Sequence, residues 1–257
     1  MILDCYAICA PGLIRQENQD NFYINGIFRK DIAEQTVFIH SDKTSGCGLY
    51  AVADGMGGEE FGELASLIAV QAMDTLSCSD KEQNMVQYLI ERNTVICDLI
   101  NEKNGTRIGS TFAGLHIRGE SAAITNIGDS RVYLLRSGEL MQMSRDHNVV
   151  EQMISLGIIS KEAARSHHAR HKLTQHLGIF PSEMVIEPYT ADISIEENDL
   201  FLLCSDGLTD MLDDYAIEKI LKSLSDIKQK TEALYEATLQ NGGKDNITIL
   251  LVQVLKE

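Results

Sequence analysis

Basic residues are the first shortage in this chain. Its 257 residues include 22 Lys and Arg against 38 Asp and Glu, a formal net charge of −16. Nucleic acids and anionic membranes are gripped through basic surface, so neither is expected as the main partner. Long apolar runs are missing too: none reaches the roughly 18 residues of a membrane span. The opening Met1-Ile2-Leu3-Asp4-Cys5 carries an acid where a secretory signal carries basic residues. A cytoplasmic protein is expected. Cys5, Cys9, Cys47, Cys78, Cys97 and Cys204 form no Cys-x-x-Cys pair, and no His stands at zinc-finger spacing from them. They read as reduced, small apolar side chains. Only 3 prolines interrupt a chain that is 44% hydrophobic, ample for a sizeable core. No repeat, linker or low-complexity segment divides it, so one domain over 1–257 is expected.

What is present is a series of acidic segments: Arg15-Gln16-Glu17-Asn18-Gln19-Asp20, Ala53-Asp54-Gly55-Met56-Gly57-Gly58, Ser205-Asp206-Gly207 and Gly242-Gly243-Lys244-Asp245-Asn246. In the last three, an Asp stands beside Gly, Ser or Asn where an apolar strand begins or ends. One such Asp is an ordinary turn or cap. Several from distant parts of a chain make an all-oxygen site for Mg²⁺ or Mn²⁺. The glycines after Asp54 let backbone carbonyls approach a ligand closely. Arg15 adds a rigid fork of donors suited to phosphate.

Periodicity supplies the frame. Strands are expected over 2–9, 20–27, 36–40, 49–53, 111–118, 121–127, 131–136, 139–144, 199–204 and 247–255. Helices are expected over 61–76, a second segment reaching about 101, 213–224 and 227–240. Ser77 to Asp80 reads as a turn. Residues 148–180 read as an inserted helical lobe without one strong apolar face. This order fits an α+β class, antiparallel sheets covered by helix pairs.

The segments, taken together and in order, resemble the motifs of the metal-dependent PPM (PP2C-type) Ser/Thr protein phosphatases, in particular the compact bacterial branch. Beyond those quoted, they include Gly62-Glu63-Leu64-Ala65-Ser66, Gly109-Ser110-Thr111, Gly128-Asp129-Ser130-Arg131 with Arg145-Asp146-His147, and Leu173 to Gly178. The resemblance spans essentially the whole chain. It implies an α-β-β-α four-layer sandwich with two central antiparallel sheets. It implies two Mn²⁺ or Mg²⁺ ions held by Asp54, the Gly55 carbonyl, Asp206 and Asp245, with Asp129 and Asp206 holding a third. Asp20 would hold metal-bound water, Arg15 would clamp the substrate phosphate, and residues 147–180 would form a flap beside the cleft. The implied reaction is hydrolysis of pSer and pThr by hydroxide bridging two metals. The implied partners are phosphoproteins and a cognate Ser/Thr kinase of a bacterial signalling circuit, with the enzyme a monomer.

Two positions depart from the family pattern. Gln19 stands where many members carry Glu, and Met56 stands where animal members carry a His proposed as general acid. His167, His168, His171 and His176 are expected as surface residues of the flap rather than zinc ligands. A rival from another class is a silent member that binds phosphoprotein without hydrolysing it. Retention of Arg15 and of all three metal-type Asp residues argues against that rival, and nothing supports specialisation for an anti-sigma-factor antagonist.

Overall fold

Strands that are apolar on both faces must be covered on both faces, and that requirement sets the layering here. The computed structural model describes residues 1–56, 61–76 and 85–256. It opens with β1 (Ile2–Ala10), β2 (Asp20–Ile24), β3 (Ile27–Phe28), β4 (Phe38–Ser45) and β5 (Cys47–Met56). Helices α1 (Gly62–Val70) and α2 (Met85–Glu102) follow. Next come β6 (Gly109–Ser110), β7 (Phe112–Arg118), β8 (Ser121–Ile127), β9 (Arg131–Arg136) and β10 (Glu139–Gln142). The flap segment carries α3 (Val149–Ser155) and α4 (Lys161–Arg165). The chain then forms β11 (Tyr189–Ser194), β12 (Leu200–Cys204), α5 (Asp206–Thr209), α6 (Asp214–Ser223), α7 (Ile227–Gln240) and β13 (Ile247–Leu255).

The strands assemble into two antiparallel sheets, ordered β10-β9-β12-β13-β1-β4 and β11-β8-β7-β5-β2-β3, with β6 paired to β5. Period-2 alternation sends each strand's side chains to two different cores. On β1, Leu3, Cys5, Ala7 and Cys9 join Phe22, Tyr50, Leu115 and Val252 between the sheets. Tyr6, Ile8 and Ala10 point the other way, toward Ile217 and Leu221 of α6 and Leu234 of α7. The second sheet repeats this with Leu49, Ala51 and Ala53 against Ala65 and Ala69 of α1 and Leu89 and Ile96 of α2. The result is the expected four-layer arrangement. Helix starts follow capping chemistry: Asp213 accepts from Ala216 N at 2.7 Å and Asp226 from Gln229 N at 2.9 Å.

Several boundaries differ from the sequence reading. The expected strand 20–27 is a hairpin, because Asn25 and Gly26 take positive φ and turn β2 into β3. The expected helix 61–76 stops at Val70, with only a single tighter turn at Met73–Thr75. Strand β4 runs to Ser45, beyond the expected 40, and β11 was not foreseen. The expected turn at 77–80 lies outside the described residues. Cys5, Cys9, Cys97 and Cys204 are buried and free. Cys47 is disulfide-bonded, so the expectation of reduced cysteines fails there, and Cys78 lies outside the described residues.

Candidate active site

Four carboxylates from four strand ends meet at one end of the sandwich. Asp20 opens β2 and lies directly across from Asp54 on β5, an antiparallel register pair. Asp206 begins α5 just beyond β12, and Asp245 stands two residues before β13, the neighbour of β12 in the other sheet. Close backbone packing brings the halves together. A Cβ on Gly55 would strike the Gly62 and Gln19 carbonyl oxygens, and one on Gly207 would strike the Asn246 carbonyl oxygen. Only glycine permits these approaches.

Asp20 is completely buried. Its Oδ2 accepts hydrogen bonds from Ser205 Oγ and Thr248 Oγ1, both at 2.7 Å. Its Oδ1 is buried without any partner. Burial drives its pKa up to about 7; the two hydroxyls oppose this, and Asp206 and Asp245 add to it. Asp54 and Asp129 keep some exposure at the cleft floor, yet desolvation and neighbouring carboxylates push both well above the usual range. For Asp54 the neighbours are Asp20, Asp206, Asp129 and Asp245. Asp20, Asp54 and Asp129, whose burial makes them resist ionisation, stand with Asp206, Asp245 and one orphaned buried oxygen as a donor set that fits hard divalent cations.

The other expected residues are placed as follows. Arg15 grips Asp245 with a two-point fork, Nε to Oδ1 at 2.9 Å and Nη2 to Oδ2 at 2.8 Å, so its donors rest on a carboxylate. Asp129 lies in the β8–β9 connection and lines the same cleft as Asp54, Gly55, Met56, Asp206 and Asp245, a cavity of about 790 Å³. Gly57 and Gly58 lie outside the described residues. The flap histidines divide. His167 and His168 pack on each other with ring centroids 4.4 Å apart, and His176 bonds to the Leu177 carbonyl. His171 is drawn into the cleft, its Nδ1 3.7 Å from Asp206 and its Nε2 3.4 Å from Asp210. Arg170 donates to His171 Nε2 at 2.7 Å and to Asp210 at 3.3 Å. His171 stays exposed, as expected of the flap histidines, and converges with Asp206 and Asp210 as a mixed nitrogen–oxygen group.

Other residues were quoted only as motif letters, and the structure gives them work. Thr111 N–H donates to the Asp54 carbonyl at 2.9 Å, and Thr111 Oγ1 accepts the Asp54 N–H at 3.0 Å. Ser110 Oγ donates to the Asp54 carbonyl at 3.1 Å, so Gly109-Ser110-Thr111 fixes the backbone of Asp54. Asn246 Oδ1 accepts the Gln19 N–H at 2.9 Å, and its Nδ2 donates to the Glu17 and Pro11 carbonyls at 2.8 and 3.1 Å. That bridge ties the Arg15 loop to the Asp245 turn. Arg131 forms a short forked pair with buried Asp146 beneath Asp129. Leu177 pairs with Ser110, and Gly178 N–H bonds to Asn93 Oδ1 at 2.7 Å, anchoring the base of the flap. No sequence signal marks Thr248 or Asp210 as site residues.

A family model described as protein phosphatase 2C matches residues 23–241. The serine/threonine phosphatase stp of Listeria monocytogenes is 33% identical over 254 residues, covering 94% of this chain and 92% of its own length. The crystal structure of the Mycobacterium tuberculosis serine/threonine phosphatase PstP/Ppp superposes with a TM-score of 0.83 at 28% identity, covering 100% of each chain. A PstP catalytic domain in complex with two manganese ions superposes at 0.79, with 27% identity and 100% of each chain covered.

Proposed function

The chain belongs to the protein phosphatase 2C family and is a serine/threonine phosphatase of the bacterial type; on that premise we propose that it hydrolyses phosphoserine and phosphothreonine in proteins by direct in-line attack of hydroxide on phosphorus. The observation that carries the reading is the convergence of Asp20, Asp54, Asp206 and Asp245, with Asp20 Oδ1 buried and unpartnered. Asp54, the Gly55 carbonyl, Asp206 and Asp245 are the residues that would hold two Mn²⁺ or Mg²⁺ ions, and Asp129 with Asp206 suits a third. When bound, the two cations lower the pKa of water enough to supply hydroxide near neutral pH and offset the charge of the phosphate.

The chain's own residues do the rest. Asp20, held through Oδ2, keeps Oδ1 free, and that oxygen would orient water held at the cations. Arg15 presents two parallel donors whose spacing matches a phosphate edge as well as a carboxylate, and it exchanges Asp245 for phosphate when substrate enters. Thr111 and Ser110 keep Asp54 in place. Met56 lines the cleft and has no proton to give, so the departing Ser or Thr oxygen takes its proton from water or from another wall of the cleft. We read 1–257 as one phosphatase domain with 147–180 as its flap. No helix among the described residues is long and apolar enough to cross a membrane. The enzyme would act as a cytoplasmic monomer opposing a Ser/Thr kinase in a bacterial signalling circuit.

The test is hydrolysis of p-nitrophenyl phosphate and a phosphothreonine peptide with Mn²⁺, with EDTA, and by Asp54→Asn. Metal-dependent hydrolysis that disappears in the variant is expected. A folded protein inactive with every divalent metal would overturn the reading and leave phosphoprotein binding in its place.

A further inference from the structure

Arg29 is 3% exposed, yet among the described residues it has no carboxylate partner. Its guanidinium donates instead to three main-chain carbonyls: Nη1 to Asp20 at 2.6 Å, and Nη2 to Asn18 at 2.7 Å and Ile32 at 3.1 Å. Burying a charge without a counter-charge is unfavourable, and a neutral side chain would fill the same space with less penalty. The charge sits where it grips the two residues flanking Gln19. Gln35 closes the bracket. Its Oε1 accepts the Asn18 N–H at 2.6 Å, and its Nε2 donates to the Ile32 carbonyl at 2.9 Å. Asn21 in turn fixes the backbone of Arg29, accepting its N–H at 3.0 Å and donating to its carbonyl at 2.9 Å.

The gripped segment delivers two things to the acidic centre. One is the Asp20 carboxyl. The other is the Gln19 carbonyl, which receives the Gly55 N–H at 3.1 Å and so fixes the peptide beside Asp54. Arg29 and Gln35 lie between the first two acidic segments, outside every motif that carries the family resemblance.

We propose that Arg29, supported by Gln35, is a positioning residue: it holds the main chain of Asn18–Asp20 so that Asp20 and Gly55 face the divalent cations in working geometry. It touches neither substrate nor cation. Its charge reaches the back of the site, where it acts against burial in lowering the pKa of Cys9, whose Sγ lies 3.8 Å from the Asp20 carbonyl.

The proposal rests on the two-metal reading, so its test measures metal binding and turnover separately. Arg29→Lys keeps the charge and loses the fork. Calorimetric titration should show Mn²⁺ binding weakened by about 10- to 100-fold, the range for residues that orient metal ligands. At saturating Mn²⁺, kcat should fall while KM for p-nitrophenyl phosphate stays within about twofold, because Arg15 is untouched. In an Asp20→Asn background the same change should add little to either effect, since Arg29 acts largely through that carboxyl. Unchanged Mn²⁺ binding, or effects that simply add in the double variant, would overturn the proposal. Gln35→Ala, on a partly exposed loop, should act in the same direction more weakly. It decides the matter if Arg29→Lys does not fold, and normal Mn²⁺ binding there would also count against the clamp. Wild-type protein that binds Mn²⁺ but hydrolyses nothing would sink the phosphatase reading and leave the clamp standing on the titration.

Discussion

Replacing Asp20 by Asn should stabilise the metal-free protein while crippling it as an enzyme. Asp20 is fully buried, and its folded pKa of about 7 stands far above the ordinary 3.8. A carboxyl whose pKa is raised on folding binds its proton more tightly in the folded state. Its destabilising effect is therefore absent below about pH 4, grows between pH 4 and 7, and is fully present above pH 7. Roughly three pH units at about 1.4 kcal/mol each give an upper figure near 4 kcal/mol. Asn removes the charge and keeps an oxygen for Ser205 and Thr248, but its amide hydrogens take the unpartnered place of Oδ1, which takes back about 1–3 kcal/mol. A net gain of about 2 kcal/mol is expected at pH 8. Urea unfolding in EDTA at pH 5 and pH 8 measures it, beside Mn²⁺-dependent hydrolysis of p-nitrophenyl phosphate. The gain should fall away by pH 5. A variant no more stable than wild type at pH 8, or equally stabilised at both pH values, would refute the electrostatic account of this site.

Three further outcomes are expected. Asp206→Asn should cut turnover at least about 100-fold with an unchanged circular dichroism spectrum, and full activity would remove Asp206 from the ligand set. Gly207→Ala drives a Cβ into the Asn246 carbonyl, so it should lower stability by about 3 kcal/mol or more and separate α5 from the Asp245 turn; a thermal melt matching wild type would contradict that packing. His116 on β7 is 4% exposed with Nε2 unpartnered, and burial, aided by Arg118, lowers its pKa to about 4. Stability that it permits above pH 6.5 should be lost as pH falls toward 4, by up to about 3 kcal/mol, and His116→Leu should flatten that part of the acid unfolding curve.

The fold was readable where burial leaves a strong pattern. Leu200–Cys204 and Ile247–Leu255 are apolar on both faces because each lies inside a sheet between two cores, and both were placed within a residue. The failures sit at the edges. β11 and the end of β4 alternate between half-buried and exposed residues, and Asp192, Asp42 and Lys43 dilute the apolar signal there. Polar edge strands protect a sheet from pairing with another chain, and the same polarity hides them from a periodicity reading. Asn25-Gly26 was a hairpin signal passed over inside an otherwise uniform strand.

The site divides along a similar line. Residues that would meet the cations must be carboxylates at strand ends beside small residues, so their chemistry is written in local sequence. Residues that aim them need only reach the right carbonyl or hydroxyl, and nothing in their neighbours declares that reach. Arg29 stands between Phe28 and Lys30 like any surface cation, and Thr248 sits in a run of buried apolar residues. Yet the acidic centre depends on such residues more than most sites do. Its carboxylates come from both sheets; burial, with mutual repulsion adding to it, holds the protons of Asp20 and Asp54 well above their usual range. Left to themselves they would separate. The core between the sheets, the glycine contacts at Gly55 and Gly207, and the bonds from Thr111, Thr248, Asn246 and Arg29 hold them together against that repulsion. The site therefore stores unfavourable electrostatic energy that a cation releases on binding, and its affinity for divalent metal derives from the rigidity of the frame as much as from the carboxylates themselves.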